Sequence, residues 1–237
     1  YLADAWPGNY RNQLFMHNVH GQRANVDLLV QKGSGYVGLH SPDWLLSNDR
    51  WSQMLNFCCG PDGNVFVADW YDKQACHTGN PAAPDRSHGR IFKVIYGAPK
   101  PVKVNLAGLT DLELAGLQLH TNDWYVRHAR RILEERAARG PLASDALESL
   151  RKTAFKHAEE TRRLRGLWAL HATGNMGEEG AGRALKDHSA FVRAWAIQLA
   201  MENRSPSPAM LASFAELAKK DTSPVVRLYL ASACDRM

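Results

Sequence analysis

Short apolar runs separated by turn-forming residues fill the first hundred positions of the chain. A run from Met54 to Cys58 and a second run from Val65 to Ala68 flank the sequence Gly60-Pro61-Asp62-Gly63. Proline presets such a turn, and Asp and Gly tolerate the backbone conformations that close it. Similar strand-like patterns occupy residues 13–16, 25–31 and 90–96. The pattern predicts antiparallel strands in a sandwich, a barrel or a propeller, and periodicity alone does not choose among the three.

From Thr110 onward the apolar positions recur with helical spacing. Between Phe191 and Ala200, for example, Val192, Trp195 and Leu199 fall on one face of a helix. Short breaks divide this part into helices that follow one another in pairs. We predict the pairs 111–120 with 123–139, 144–157 with 160–174, 178–186 with 190–203, and 207–220 with 224–235.

Two of these helix pairs share a motif at the turn between their helices. Asp187 and Arg193 have the spacing D-x-x-x-x-V-R, and Asp221 and Arg227 repeat it 34 residues later. A third copy at residues 122–127 departs from the motif, because Thr121 stands in place of the Asp. The motif resembles the signature of HEAT repeats, in which the Asp and the Arg form a ladder between repeats. It predicts a helical solenoid of about four helix pairs in which both arginines bond Asp187, Asp221 or nearby carbonyls.

Composition changes near residue 98 and divides the chain in two. Residues 1–98 contain eight Lys and Arg and eight acidic residues, all of them Asp, whereas the remainder contains 21 basic and 16 acidic residues. Asp favours turns and Glu favours helices. The stretch from Gly97 to Pro101 is a plausible joint, because its prolines oppose helix. We therefore predict domains at 1–98 and 99–237.

Several functional classes find no support in the sequence. The excess positive charge is spread along helices and accompanies no nucleic-acid-reading motif, so we expect a solvated helix face and no nucleic-acid partner. No run of eighteen apolar residues occurs, so we expect no membrane span. Nucleotide-binding, serine-hydrolase and zinc-protease motifs are also absent. The beginning at Tyr1 without a leader and the ending at Met237 within a helical pattern favour a piece of a longer protein.

The cysteines do not indicate a cofactor site. Cys76-His77 lacks the second cysteine of a haem attachment motif, because Lys73 stands at that position. The mixed donors around it fit no single metal, and we predict no metal site. Cys58 or Cys59 could bridge to Cys76, although buried free thiols are the commoner state.

Several long motifs in the first domain resemble a known family. The segments GSGYVGLHSPDWLLSNDRW, GPDGNVFVADWYDKQACH and GRIFKVIYG occur in order within residues 6–97. They resemble the multidomain dehydrogenase-like proteins of planctomycetes and related bacteria, in which a sorbosone dehydrogenase-type β-propeller precedes HEAT repeats and often a c-type cytochrome. The resemblance implies a mixed, two-domain fold with a terminal propeller portion of one to two blades followed by an all-α HEAT-type solenoid. It also implies a periplasmic location.

The propeller expectation places three loops, 20–23, 47–51 and 70–89, on one face. The candidate catalytic residues are His77 and Asp72, and the candidate substrate- or cofactor-binding residues are His20, Arg23, Asp49, Arg50 and Arg86. The resemblance implies oxidation of a sugar or alcohol, no cofactor within this chain, and a quinone or haem elsewhere in the parent protein. The alternative is a non-catalytic propeller that binds carbohydrate or protein, with the helical repeats as a scaffold or as the surface for a protein partner.

Overall fold

The structure is a computed structural model that describes residues 1–74, 79–80, 82–85, 87–99 and 101–236. Cys76 and the candidate site residues His77 and Arg86 lie outside the described residues. The chain forms two compact units. The first contains Tyr1–Gln31, Tyr36–Val104 and Thr121–Trp124, and the second contains Lys32–Gly35, Asn105–His120 and Tyr125–Met237. The domain boundary predicted at residue 98 stays a prediction.

The first unit contains two three-stranded sheets, apart from the Lys32–Gly35 end of one hairpin, which is assigned to the second unit. The first sheet contains β1 (Gln13–Asn18), β2 (Arg23–Lys32) and β3 (Gly35–Leu46), in that order. The second contains β4 (Ser52–Cys59), β5 (Val65–Tyr71) and β6 (Arg90–Val94), with antiparallel pairing throughout. The strands predicted at 13–16, 25–31, 54–58 and 65–68 are confirmed as local elements, and the strand predicted at 90–96 is confirmed over Arg90–Val94.

The predicted fold class is wrong in its propeller portion. A propeller blade is a four-stranded sheet set around a central channel. The described residues instead form separate sheets of three strands each, with neither a closed barrel nor a propeller among them. Short antiparallel strands are compatible with many assemblies, and their local pattern does not encode how sheets associate. A mixed fold with an N-terminal sheet region and a helical remainder describes the chain.

An aromatic cluster around Trp6 forms the core of the first unit. Trp6 stacks on Tyr1 with ring centroids 4.7 Å apart and lies 4.9 Å from Trp44. Val65 and Val67 are buried against this cluster, whereas Phe66 between them is exposed. Successive residues of a strand face opposite sides, so one face of β5 is buried and the other is open.

A short segment that is distant in sequence completes the first unit. The Asn122 side chain is buried, and its Nδ2 donates to the carbonyls of Gly60 and Pro61 at 3.1 and 3.2 Å. Arg11 Nη2 donates to the Thr121 carbonyl at 2.9 Å. These bonds tie the turn between β4 and β5 to residues that follow it by some sixty positions. Thr121, which stands in place of the Asp of the repeat motif, belongs to the segment that makes these hydrogen bonds.

The second unit is helical. Its described residues form eight α-helices: α1 (Asp111–Gly116), α2 (Asp123–Ala137, whose first two residues belong to the first unit), α3 (Ser144–Lys156), α4 (Glu160–Ala172), α5 (Gly177–Ala184), α6 (Ala190–Ala200), α7 (Pro208–Lys220) and α8 (Pro224–Cys234). Side-chain caps start several of them. Thr110 forms a capping box with Glu113, and Ser189 and Ser207 accept bonds from backbone N–H groups of α6 and α7.

Two helices approach each other closely at Gly166 of α4. A Cβ atom placed there would lie 2.5 Å from the backbone nitrogen of Ala154 in α3. Further along, Leu167, Ile197 and Val226 are buried in one continuous core that joins α4, α6 and α8. The absence of a side chain at residue 166 therefore sets the distance between α3 and α4.

Arginines at equivalent positions link successive turns of the helical unit. Arg163 Nε and Nη2 donate to the two carboxylate oxygens of Asp187 at 3.0 and 3.1 Å. Arg193 makes the same pair of bonds to Asp221, at 2.7 and 3.1 Å. Arg193 Nη1 also donates to the carbonyl of Asp187, in its own turn, at 2.8 Å. Each arginine therefore bonds the aspartate of the following interhelical turn, and Arg193 also bonds the turn before its own helix. The sequence motif leaves open which aspartate is the partner.

Candidate functional site

A buried carboxylate lies at the end of the second sheet. The Asp69 side chain is inaccessible to solvent. Its Oδ1 accepts hydrogen bonds from Ser52 Oγ at 3.0 Å and from the Gln53 backbone N–H at 2.7 Å. Its Oδ2 accepts from Arg90 Nε at 2.8 Å and from Nη2 at 2.6 Å. Four donors on two oxygens satisfy the carboxylate, so Asp69 joins three segments of the sheet.

Arg90 is held by two carboxylates and two aromatic rings. Beyond Asp69, its Nη1 and Nη2 each lie 3.3 Å from Asp49 Oδ2. The guanidinium lies 3.7 Å from the centroid of the Tyr71 ring and 5.0 Å from that of Phe92. Burial alone would lower the pKa of Arg90, but the hydrogen bonds and charges of Asp69 and Asp49 outweigh it and raise the pKa above its usual value. Arg90 is therefore a fixed cation at this end of the sheet.

Asp72, a candidate catalytic residue, is fully buried in the structure. Its Oδ1 accepts from the Gln74 backbone N–H at 2.9 Å, and its Oδ2 from Trp70 Nε1 at 3.4 Å. Its own N–H donates to the Trp51 carbonyl at 2.9 Å, and its carbonyl accepts from Gln53 Nε2 at 2.8 Å. These contacts fix the backbone where β5 ends and leave the carboxylate out of contact with solvent.

The remaining described candidates lie in two neighbouring loops. Ser47, just after β3, donates its N–H to the Gln22 carbonyl at 3.0 Å, so the 47–51 loop lies beside the 20–23 turn. Arg23 forms an ion pair with Asp43 at 2.8 Å, and this hydrogen bond is the main reason why the pKa of Asp43 is lowered. His20 and Arg50 are exposed. In the structure, Asp49 therefore lies beside Arg90, and the 20–23 turn lies beside the 47–51 loop.

The arginine that organises this region was not among the sequence candidates. Arg90 is the first residue of β6, and its Cα is paired in register with that of Asp69 on β5. Opposite charges facing each other on adjacent strands would have revealed the pair if the register had been known. A long connection separates the two strands in the sequence, and periodicity does not define a register across it.

A second polar cluster lies on the first sheet. His40 Nδ1 lies 3.1 Å from Asp27 Oδ1, and His40 Nε2 lies 3.8 Å from Asp43 Oδ1. Gly38 allows this arrangement, because a Cβ there would lie 2.9 Å from Asp27 Oδ2. Even so, the part of the chain that the structure describes contains no group of three or more His, Cys, Asp or Glu side chains placed to hold a metal ion.

The far part of the β2–β3 hairpin exposes apolar side chains on both faces. We call residues 28–31 of β2 and 36–39 of β3 the apolar ribbon. Its large apolar residues are between 42% and 55% exposed: Leu28, Leu29, Val30, Tyr36, Val37 and Leu39. Pairing of β1 with β2 stops at the Gln13–Leu28 pair, so within the sheet the ribbon has only two strands. Such exposure is uncommon on soluble surfaces that bind nothing.

Comparison with known protein families matches the first part of the chain. Residues 1–97 match the model of a family described as a domain of unknown function, DUF7133. No curated protein and no solved structure matches the chain. The match covers the part of the chain that holds the two sheets and the apolar ribbon, and the description of the family names no activity.

The charged side chains at this end of the second sheet are paired within the protein. Asp69 and Asp72 have their carboxylate oxygens occupied by protein donors, and Arg90 is paired with two carboxylates. The apolar ribbon, in contrast, presents accessible aromatic and aliphatic side chains. Among the helices that the structure describes, none is long and apolar enough to cross a bilayer.

Proposed function

We propose that this chain is a non-catalytic protein-binding module whose docking surface is the apolar ribbon. The observation that carries the proposal is the exposure of six large apolar residues on both faces of a two-stranded hairpin. A two-stranded hairpin is marginally stable in water by itself, and a third strand or a packed surface stabilises it. A partner that covers the ribbon would supply that surface.

The position of β3 at the edge of its sheet supports recognition by strand addition. The order β1-β2-β3 leaves one side of β3 without a neighbouring strand in the sheet. Pro42 lies within β3, in keeping with an edge position, where proline removes no ladder hydrogen bond that a neighbouring strand needs. An extended segment of a partner would bond the free edge of residues 36–39 and pack on the adjacent apolar side chains.

Oxidation of a sugar or alcohol stays a prediction. It depends on His77 and Arg86, which lie outside the described residues, and on Asp72, whose carboxylate already accepts two protein hydrogen bonds. A quinone or haem in the parent protein and a carbohydrate ligand likewise remain predictions, as does the periplasmic location.

The experiment starts from a photo-crosslinking amino acid at position 39 in cells that make the protein. The cross-linked protein is identified, purified and titrated against this chain by calorimetry. Leu39→Lys should weaken binding about tenfold or more, because burial of a leucine contributes roughly 1.5–3 kcal/mol. Leu112→Lys is the matched control: Leu112 is 43% exposed and Leu39 51%, but Leu112 lies on α1, outside the ribbon.

Two results would overturn the proposal. One is equal affinity of the wild type and the Leu39→Lys variant for the cross-linked protein. The other is steady oxidation of a sugar or alcohol with an artificial electron acceptor that is lost in His77→Ala while the fold is kept. Equal binding by wild type and Leu112→Lys, with loss only in Leu39→Lys, is the expected pattern.

A further inference from the structure

A groove lies between α5 and α7, within the helical unit. Its volume is 360 Å³. Four residues with small or apolar side chains line it: Gly182, Leu185, Ala212 and Leu217. Four polar residues complete the lining: Lys186, Ser213, Glu216 and Lys220. The groove is independent of the apolar ribbon, so an inference about it does not rest on the proposed function.

A glycine in the last turn of α5 lines the groove. A Cβ atom at Gly182 would meet nothing within 4 Å. Glycine inside a helix is unfavourable compared with alanine, and close packing usually explains its presence. That explanation applies to Gly166, where a Cβ would lie 2.5 Å from backbone, but not to Gly182. The vacant space above Gly182 is therefore available to a side chain from outside.

The charges beside the groove favour an acidic ligand. Lys220 forms an ion pair with Glu216, one helical turn away, so these two charges compensate each other. Lys186 is exposed, and no ion pair joins it to any of the residues that the structure describes. The helical part of the sequence has an excess of basic residues, 21 against 16 in residues 99–237. A carboxylate placed beside the apolar floor would find Lys186 as its partner.

We propose that the α5–α7 groove binds an acidic amphipathic helix of another protein. One leucine-sized side chain of that helix fills the space above Gly182, and a carboxylate on a neighbouring turn pairs with Lys186. The groove is lined by two helices, which is the arrangement in which the apolar face of a third helix packs. Its volume is near the lower limit of small-molecule sites, which suits one or two side chains better than a large cofactor.

The test uses a fluorescein-labelled helical peptide with leucines at i, i+3, i+4 and i+7 and glutamates beside them. Its binding is followed by fluorescence anisotropy with the full chain. A second peptide carries lysines in place of the glutamates. We expect the glutamate peptide to bind the wild type and Gly182→Ala alike, and the lysine peptide to bind at least about tenfold more weakly. Gly182→Leu should abolish binding, because the leucine fills the groove. Lys186→Glu should weaken binding about fivefold.

Circular dichroism shows whether each variant keeps its helices. Equal binding of the two peptides would overturn the acidic partner, and undiminished binding by Gly182→Leu would overturn the groove as the site. A dimer in sedimentation that Gly182→Leu dissolves would identify a second copy of this chain as the occupant and would also overturn the proposal. No binding of either peptide to the wild type would do the same.

Discussion

Gly166 and Gly182 are both glycines within helices, but their surroundings differ in a way that a sequence does not record. At Gly166 the backbone of α3 occupies the place where a Cβ would lie, and at Gly182 that place is open. The same substitution should therefore change stability in opposite directions at the two positions.

Gly166→Ala should lower the free energy of unfolding by about 2–3 kcal/mol, because α3 and α4 must move apart to admit the methyl group. Gly182→Ala should raise it by about 0.5–1 kcal/mol, because alanine favours the helix and meets no neighbour. Urea unfolding followed by far-UV circular dichroism measures both. A Gly166→Ala protein as stable as the wild type would contradict the close approach of the two helices.

Asp69 should be the most sensitive polar residue of the first unit. Asp69→Ala removes the acceptor of four hydrogen bonds and leaves the Arg90 charge without its buried partner. We expect a loss of about 3 kcal/mol in the free energy of unfolding. Asp49→Ala is the control, since Asp49 is partly exposed and lies 3.3 Å from Arg90; it should cost about 1 kcal/mol or less. Equal losses in the two variants would refute the central role of Asp69.

At the scale of elements, Asp111 connects three parts of the helical unit. Its Oδ1 accepts from Arg136 at the end of α2 at 2.8 Å, and its Oδ2 accepts from the Ala143 N–H just before α3 at 3.1 Å. The hydrogen bond from Arg136 is the main reason why the pKa of Asp111 lies below its usual value of 3.8. A carboxylate at the start of α1 thus also holds the ends of its neighbours.

The lowered pKa of Asp111 sets a pH dependence of stability. The folded chain binds the proton more weakly than the unfolded chain does, so the contribution of Asp111 is present above pH 3.8 and is lost as the pH falls through the lower folded value. We expect Asp111→Asn to reduce the thermal unfolding temperature near neutral pH, and the difference from the wild type to shrink as the pH falls below 3.8. Thermal melts at several pH values measure it. A constant difference at all pH values would contradict this mechanism.

Element positions could be predicted from the sequence because they depend on local spacing. The run from Val65 to Ala68 lies in β5, and the helical pattern from Phe191 lies in α6. The assembly of the strands could not be predicted, because sheet membership and the Asp69–Arg90 register depend on contacts across long connections. The resemblance motifs suggested a propeller, and the two three-stranded sheets contradict it.

At the scale of the whole molecule, the first unit is not continuous in sequence. Composition predicts a joint near residue 98, and the first unit also includes Thr121–Trp124. In the sequence, Thr121 is visible only as a departure from the repeat motif. In the structure, Thr121 and Asn122 form hydrogen bonds with Arg11, Gly60 and Pro61. No local sequence pattern predicts such bonds.

Asn122→Ala should destabilise β4 and β5, although Asn122 is distant from them in the sequence. The substitution removes the Nδ2 donor to the carbonyls of Gly60 and Pro61, which costs roughly 1–3 kcal/mol for buried groups. The Gly60 carbonyl keeps its hydrogen bond from the Gly63 N–H. Hydrogen exchange measured by mass spectrometry should become faster in β4 and β5 and stay unchanged in α6 and α8. Asn203→Ala is the control, because Asn203 is exposed. Unchanged exchange in β4 and β5 would contradict the role of Asn122.

The position of Asn122 also bears on synthesis, because a ribosome delivers the chain from its N-terminus. All six strands have emerged once Val94 is released, yet the side chain that bonds Gly60 and Pro61 arrives 28 residues later. At roughly 5–20 residues per second, this interval lasts about one to six seconds. During it, a nascent chain carries all six strands, but the turn between β4 and β5 still lacks its hydrogen bonds from Asn122. Codon choice or pausing between residues 95 and 122 would therefore lengthen the period in which the sheet region is exposed to proteases and chaperones.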